Sequence, residues 1–164
     1  MFENSYRIRV SARAIVIDQD KILLNHFNNG AYYNTPGGGI EEKENARMAV
    51  VREVREETGL EVEVGDLVFT LEYEPHNSGY IYGNGHHISF FFRCKLLGSN
   101  QLLTPEIPDF DPSNPEITSQ PVWVPLVQLP EINLLPSVNK NLMQYFKTGV
   151  FEPLFYEDRG VNPK

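Results

Sequence analysis

The sequence predicts an α/β or α+β fold, in which two helices pack on a mixed sheet. Several segments alternate apolar and polar residues as strands do, and two others have the apolar spacing of amphipathic helices. The chain has 164 residues, of which 41% are hydrophobic, and this is enough for one buried core. A single domain over residues 1–164 is therefore expected.

Strands are predicted where apolar residues alternate, or run together, between turn residues. The first two should form a hairpin through the turn Asp18-Gln19-Asp20. The segments between later strands are rich in proline, glycine and polar residues, which predicts long loops. The predicted strands are 8–17, 21–25, 32–34, 60–71 around a turn at 65–66, 86–97 and 121–125, and the predicted loops are 72–85 and 98–120.

The first helix is predicted to begin near Glu44, where apolar residues start to recur on one stripe, and to stop at Gly59. A second helix is predicted over 137–147, directly after Pro136. The tail, 151–164, is expected to add an edge segment and then fray.

Three consecutive glycines, Gly37, Gly38 and Gly39, precede the first helix. Glycine loses more backbone entropy on folding than any other residue, so three in a row are costly inside a helix or a strand. They predict a loop whose backbone passes close to a phosphate or a metal, next to the free N–H donors of the helix that follows.

Glu53, Glu56 and Glu57 are three and four residues apart, so on a helix their carboxylates share an arc of about 100°. Like charges at this spacing destabilise a helix by about 0.2–0.5 kcal/mol per pair, and the helix dipole near Gly59 favours cations. A bound divalent cation such as Mg²⁺ removes both penalties. The alternative is a solvated acidic face with local salt bridges to Arg52 and Arg55.

These residues resemble the Nudix box, G-x5-E-x7-R-E-U-x-E-E-x-G-U with U aliphatic. The resemblance covers 38–60, and every specified position matches: Gly38, Glu44, Arg52, Glu53, Val54, Glu56, Glu57, Gly59 and Leu60. It implies a MutT-like or ADP-ribose pyrophosphatase-like protein with a mixed sheet sandwiched between helices. The implied activity is hydrolysis of a nucleoside diphosphate linked to another group.

The resemblance also implies roles for single residues. Glu53, Glu56 and Glu57 would ligate Mg²⁺ or Mn²⁺, with the Gly38 carbonyl as a further ligand. Structural support would come from Glu44, Arg52, Gly37 and Gly39, and Arg52 is grouped with the catalytic glutamates. The metal would polarise a phosphoryl oxygen and activate a water, whose proton a carboxylate would take.

Two carboxylates are candidates for that base. Glu56, in the box, is the first choice. In this family the base can instead come from a distant loop, and Glu116 is the candidate there, with a solvated loop acid as the alternative.

Substrate choice is expected to come from outside the box. Aromatic and imidazole side chains cluster around the predicted loop 72–85, where they could stack on a base or could simply pack against the sheet. Pro75 lies fifteen residues after Leu60, a spacing that resembles the ADP-ribose pyrophosphatase subgroup. The candidate substrate-binding residues are Tyr73, Tyr80, Tyr82 and His86, with His87 beside them.

The net charge of −8 argues against a nucleic-acid polymer as partner, although a metal can reverse the local sign inside an acidic site. No segment resembles a signal peptide or a membrane span, so a cytoplasmic protein, monomeric or homodimeric, is expected. The single cysteine, Cys94, is expected to be an inert buried residue. A non-catalytic nucleotide-binding regulator and a plain structural domain are the alternatives to an enzyme.

Overall fold

The computed structural model describes residues 6–158, which form ten strands and two α-helices. Within these residues, no helix is long and apolar enough to cross a membrane. The helices are α1 (Ala46–Thr58) and α2 (Asn139–Thr148), with 3-10 turns at Asn28–Gly30 and Leu126–Glu131. The strands are β1 (Ile8–Asp18), β2 (Lys21–Phe27), β3 (Tyr32–Asn34), β4 (Gly37–Gly39), β5 (Val62–Tyr73), β6 (His86–Leu96), β7 (Phe110–Asp111), β8 (Asn114–Thr118), β9 (Gln120–Pro125) and β10 (Phe155–Glu157).

Strand β1 lies at the centre of a mixed sheet of eight strands in the order β10-β5-β6-β1-β2-β3, with β4 paired to β1 and β9 paired to β2. It runs parallel to β6 and antiparallel to β4 and β2. Strand β5 is antiparallel to β6 and parallel to β10. The predicted mixed sheet is therefore confirmed.

The two faces of the sheet carry separate hydrophobic cores. On one face, Ala12 and Ala14 of β1 pack with Val50 and Val54 of α1. On the other face, Ile15 of β1 belongs to a core that includes Leu129 of the second 3-10 turn and Leu142 of α2. Alternate side chains of one strand serve opposite cores, so the sheet lies between the helices as predicted.

Helix α1 begins at Ala46 rather than near Glu44, because Asn45 is extended and caps the helix by accepting a hydrogen bond from the N–H of Met48 (2.9 Å). It ends as predicted at Gly59, whose φ is 77°. Glycine is needed at this position for a second reason: a Cβ on Gly59 would lie 2.3 Å from the hydroxyl oxygen of Thr104.

Three predictions about loops were wrong. The glycine segment is strand β4, because Gly37 and Gly39 pair with Arg13 and Ser11 of β1. Strand β5 runs without a turn at Gly65, and its ladder with β6 absorbs the irregularity as register shifts between Val64 and Phe69. The segment 98–120 contains the hairpin β7–β8, which turns where Asp111 accepts a hydrogen bond from the N–H of Ser113 (2.7 Å).

The predicted edge segment in the tail is confirmed as β10. Residues 159–164 lie outside the described part of the chain, as do residues 1–5.

Candidate active site

A cavity of about 450 Å³ opens beside the middle of the sheet. Its floor comes from β1 and β6, one end from β4 and α1, and one wall from the hairpin β7–β8. The opposite end holds tyrosines and the last described residue, Asp158. The residues that line the cavity include Arg9, Ser11, Arg13, Phe27, Tyr32, Gly37, Gly38, Glu53, Glu57, Tyr73, Tyr82, His87, Ser89, Phe91, Asp109, Phe110 and Asp158.

Glu57 is the most buried carboxylate of the box, with 3% of its surface exposed. Its Oε2 accepts hydrogen bonds from the amide of Asn25 (2.8 Å) and from the N–H of Gly37 (3.0 Å). Burial is the main cause that raises the pKa of Glu57 to about 8; the carboxylates of Asp109 and Glu53 act in the same direction, and Arg13 acts against them. Without a metal, Glu57 is therefore protonated at neutral pH, and a cation bound at this end of the cavity would favour its ionised form.

Glu53 lines the same end of the cavity and lies close to the backbone of Gly38, because a Cβ on Gly38 would be 2.5 Å from its Oε1. Burial raises the pKa of Glu53, while its hydrogen bond from Arg52 acts in the opposite direction. Glycine at position 38 lets the carboxylate and the backbone approach this closely.

Arg52 lies at the centre of an ion-pair network beside the cavity and does not line it. Its guanidinium donates to both oxygens of Glu44 (2.7 and 3.1 Å) and to the carbonyl of Gly39 (3.0 Å). It also donates to Glu53 (2.8 Å) and to Glu56 (3.3 Å). Arg52 is thus paired with Glu44, and its bond to the carbonyl of Gly39 ties β4 to α1.

Glu56 is held by Arg52 and does not line the cavity. Within residues 6–158, no three carboxylate, imidazole or thiol groups converge closely enough to form a complete metal-ligand set. Glu53 and Glu57 nevertheless offer two hard oxygen donors in one cavity, next to the backbone of Gly38. Glu57 is buried and Glu53 is partly buried, and together with a third acid they form a cluster whose ionised form a divalent cation would stabilise.

The third acid is Asp109, which the sequence analysis did not identify. It lies at the base of the hairpin β7–β8, where its backbone N–H and C=O bond to Ser119. The chain before it is fixed to the end of α1, because the N–H groups of Glu106 and Ile107 both donate to the carbonyl of Glu56 (2.8 Å each). These contacts hold an acid from a distant loop beside the box glutamates.

Glu116 lies further along the same hairpin, in β8, and is exposed. Its backbone N–H bonds to Asn114, and it is not among the residues that line the cavity. The geometry therefore places Asp109, rather than Glu116, at the cavity.

Two arginines, Arg9 and Arg13, face the cavity from β1. The residue between them, Ser11, shares a hydrogen bond with Ser89 of β6 (2.6 Å between hydroxyl oxygens). Arg13 donates to the carbonyl of Thr35 (2.7 Å), which holds its guanidinium near the glutamates. A signal for this row was available in the sequence, because Arg9, Ser11 and Arg13 alternate with the apolar positions of β1.

The predicted aromatic cluster separates into two groups. Tyr73 and Tyr82 line the cavity, and the Tyr73 hydroxyl accepts from the N–H of Tyr82 (3.0 Å). Tyr80 is exposed and does not line it. His86 also lies outside the lining, with its Nε2 2.9 Å from Glu72, whereas its neighbour His87 lines the cavity.

A second aromatic wall, which the sequence analysis missed, is formed by Phe27 and Tyr32. Their rings stack with centroids 4.7 Å apart. The Tyr32 hydroxyl donates to Asp111 of the hairpin (2.7 Å), so this wall also ties β3 to the hairpin that carries Asp109 and Phe110.

Comparison with known proteins agrees with this geometry. A family model described as NUDIX domain matches residues 7–146. A MutT-like protein from Streptomyces ambofaciens is 36% identical over 91 residues, which are 54% of this chain and 53% of that protein. The chain thus spans about half the length of the curated relative that it matches.

Solved structures share the fold. An ADP-ribose pyrophosphatase from Streptococcus suis 89-1591 aligns with a TM-score of 0.61 at 25% identity, covering 92% of this chain and 98% of that one. A UDP-X diphosphatase aligns with a TM-score of 0.66 at 18% identity, covering 94% and 69%. A MutT protein from Methanosarcina mazei Go1 aligns with a TM-score of 0.61 at 17% identity, covering 90% and 99%. The last two similarities show the fold alone.

Proposed function

Because the chain belongs to the Nudix domain family, we propose that it is a divalent-metal-dependent pyrophosphohydrolase. Its substrate would be a nucleoside diphosphate derivative, either ADP-ribose-like or a nucleoside triphosphate. One observation carries the proposal: the carboxylates of Glu53, Glu57 and Asp109 face the same cavity as the guanidinium groups of Arg9 and Arg13. A metal–diphosphate complex needs both signs of charge at close range.

Glu53 and Glu57 would hold Mg²⁺ or Mn²⁺, with the Gly38 carbonyl as a further ligand. Glu56 would join them only if its side chain turned toward the cavity, which it does not line; it accepts from Arg52 (3.3 Å), as Glu53 also does (2.8 Å). When bound, the metal would polarise the phosphoryl oxygens and neutralise part of their charge. Asn25 and the N–H of Gly37 orient Glu57 for this role, because both donate to its Oε2.

The other groups of the cavity would act on the substrate directly. Arg9 and Arg13 would bind non-bridging oxygens of the diphosphate, since guanidinium forms paired hydrogen bonds with phosphate. Asp109 would take the proton of the attacking water, because it lines the cavity, whereas neither Glu56, which is bonded to Arg52, nor Glu116 does. We therefore propose Asp109 as the general base, in place of Glu56 and Glu116.

A substrate panel tests the proposal. We expect phosphate-containing products from ADP-ribose, nucleotide sugars or nucleoside triphosphates in the presence of Mg²⁺, and none in EDTA. If no compound of the panel turned over, yet nucleotides raised the melting temperature, the chain would be a non-catalytic nucleotide-binding regulator instead. ADP-ribose is the first compound to try, because the ADP-ribose pyrophosphatase aligns over almost its whole length.

A further inference from the structure

The C-terminal segment 151–158 lies beyond the family match, which ends at residue 146, yet it is packed into the fold. Phe151 is 1% exposed and stacks on Phe69 with ring centroids 3.8 Å apart. Phe69 in turn stacks on Phe91 (4.2 Å), whose side chain lines the cavity. The segment is therefore joined to the cavity through a continuous stack of buried rings.

Backbone contacts fix the end of this segment on β5. Strand β10 runs parallel to β5, with Phe155 opposite Thr70 and Glu157 opposite Glu72. The N–H of Asp158 donates to the carbonyl of Glu72 (2.8 Å). On its other side, the hydroxyl of Ser78 donates to the carbonyl of Asp158. The position of Asp158 is thus set by both β5 and the loop that follows it.

Asp158 is 8% exposed and lines the cavity together with Tyr73, Tyr82 and His87. The strand register shows that this end of the cavity is remote from the box glutamates. Tyr73, His87 and Arg9 are opposite one another across β5, β6 and β1. That row lies four residues along β1 from Arg13, or about 13 Å at the rise of a strand, and Arg13 is paired with Gly37 at the glutamate end.

The charge at this end differs from that at the glutamate end. Tyr82 is 41% exposed, and its partial burial, followed by the charge of Asp158, raises the pKa of its hydroxyl, which is protonated at neutral pH. Burial, followed by the charges of Arg9 and Arg13, lowers the pKa of His87, which favours a neutral imidazole at neutral pH. The Arg9 side chain lies on the β4 side of β1, since a Cβ on Gly39 would be 3.6 Å from its Nε. A carboxylate, a phenol and a neutral imidazole suit hydroxyl groups and do not suit a further phosphate.

We infer that Asp158, together with Tyr82, forms a specificity subsite that binds sugar hydroxyl groups in the part of the substrate distal to the cleaved diphosphate. This inference rests on the proposed function for its substrate class. The carboxylate of Asp158 accepts hydrogen bonds from the hydroxyls, and the Tyr82 hydroxyl lies beside it. The fold supplies this subsite through a segment outside the family match.

The test compares three substrates: ADP-glucose, its analogue without the ribose 2′-hydroxyl and its analogue without the glucose 2-hydroxyl. Asp158→Asn keeps the side-chain shape, and Glu157→Gln removes one charge from the exposed neighbouring position as the matched control. We expect Asp158→Asn to lower kcat/KM for ADP-glucose about 10- to 100-fold, the range for a hydrogen bond to a charged group. For the analogue that lacks the contacted hydroxyl, Asp158→Asn should lower kcat/KM far less than it does for ADP-glucose. The analogue that behaves in this way identifies which sugar occupies the subsite.

A uniform loss of kcat/KM across all three compounds would overturn the inference, as would an effect of Asp158→Asn no larger than that of Glu157→Gln. Melting temperatures of the variants exclude a loss of fold as the cause. Calorimetric binding of the same three compounds in EDTA gives a readout that needs no turnover. If nothing is hydrolysed, the proposed function fails, but a hydroxyl preference in binding that Asp158→Asn removes still supports the subsite. Equal binding of all three by the unmodified protein contradicts it.

Discussion

Gly37 joins the backbone of β4 to the carboxylate of Glu57, and its conformation excludes other residues. Its φ is 147°, and a Cβ would lie 2.4 Å from the carbonyl oxygen of Ala12. We expect Gly37→Ala to lower the free energy of unfolding by about 2–4 kcal/mol, from backbone strain and overpacking together. Gly39→Ala is the control, because its added Cβ would meet Arg9 at an ordinary 3.6 Å. Urea unfolding of both variants measures the difference, and equal stabilities would contradict it.

We expect Glu57 to make the stability of the protein depend on both pH and metal. Burial raises the pKa of Glu57 to about 8 from a usual 4.5. The stabilising effect of protonated Glu57 in the metal-free protein is therefore complete below about pH 4.5, and it is lost as the pH rises through 8. We expect the melting temperature in EDTA to fall from pH 6 to 9, and Mg²⁺ to raise it more at pH 9 than at pH 6. Glu57→Gln should weaken both trends, and parallel curves for the two proteins would argue against this role.

Asp109 and Glu116 are two acids of one hairpin that differ in position. Only Asp109 lines the cavity. We expect Asp109→Asn to lower kcat by about 100-fold or more, the usual loss when a general base is removed, and Glu116→Gln to leave kcat nearly unchanged. Steady-state kinetics on the best substrate of the panel decides between them. If Glu116→Gln lowered kcat strongly and Asp109→Asn did not, Glu116 would be the base.

At the scale of elements, the hairpin β7–β8 is the part that brings a distant acid to the box. Its tip is tied to β3 by the hydrogen bond from Tyr32 to Asp111 (2.7 Å). We expect Tyr32→Phe to raise KM several-fold while lowering the free energy of unfolding by only about 0.5–1.5 kcal/mol. Tyr33→Phe, on the same strand but packed against the core around Leu134, is the matched control. If Tyr32→Phe left KM unchanged, the hairpin would not depend on this bond.

The elements differ in how far the sequence could predict them. Helix α1 was predictable, because its apolar stripe and its glycine stop are local signals. Strand β4 could not be predicted. Gly37 pairs with β1 because glycine alone fits where the two backbones lie so close, and that distance is not visible in the sequence. The hairpin β7–β8 could not be predicted either, since Asp111 bonds to Tyr32 across 79 positions of the chain.

At the scale of the whole molecule, the prediction of a Nudix hydrolase is confirmed at the level of the family. The box residues Glu53, Glu57 and Gly38 could be identified through the resemblance to the Nudix box, and they line one cavity. The rest of that cavity depends on strand register, which sets Arg9 of β1 opposite His87 of β6. Register between distant strands is decided by tertiary packing, so the alternation in β1 could be predicted from the sequence, but not which residues of the other elements complete the site.

The most direct test of the proposed metal dependence is the rate of ADP-ribose hydrolysis, measured with EDTA and then with added Mg²⁺, for the unmodified protein, Glu57→Gln and Glu61→Gln. Glu61 is an exposed acid just beyond α1 and serves as the control. We expect no turnover in EDTA, turnover with Mg²⁺, a loss of about 100-fold or more in Glu57→Gln, and no change in Glu61→Gln. Turnover in EDTA, or near-normal turnover in Glu57→Gln, would contradict it.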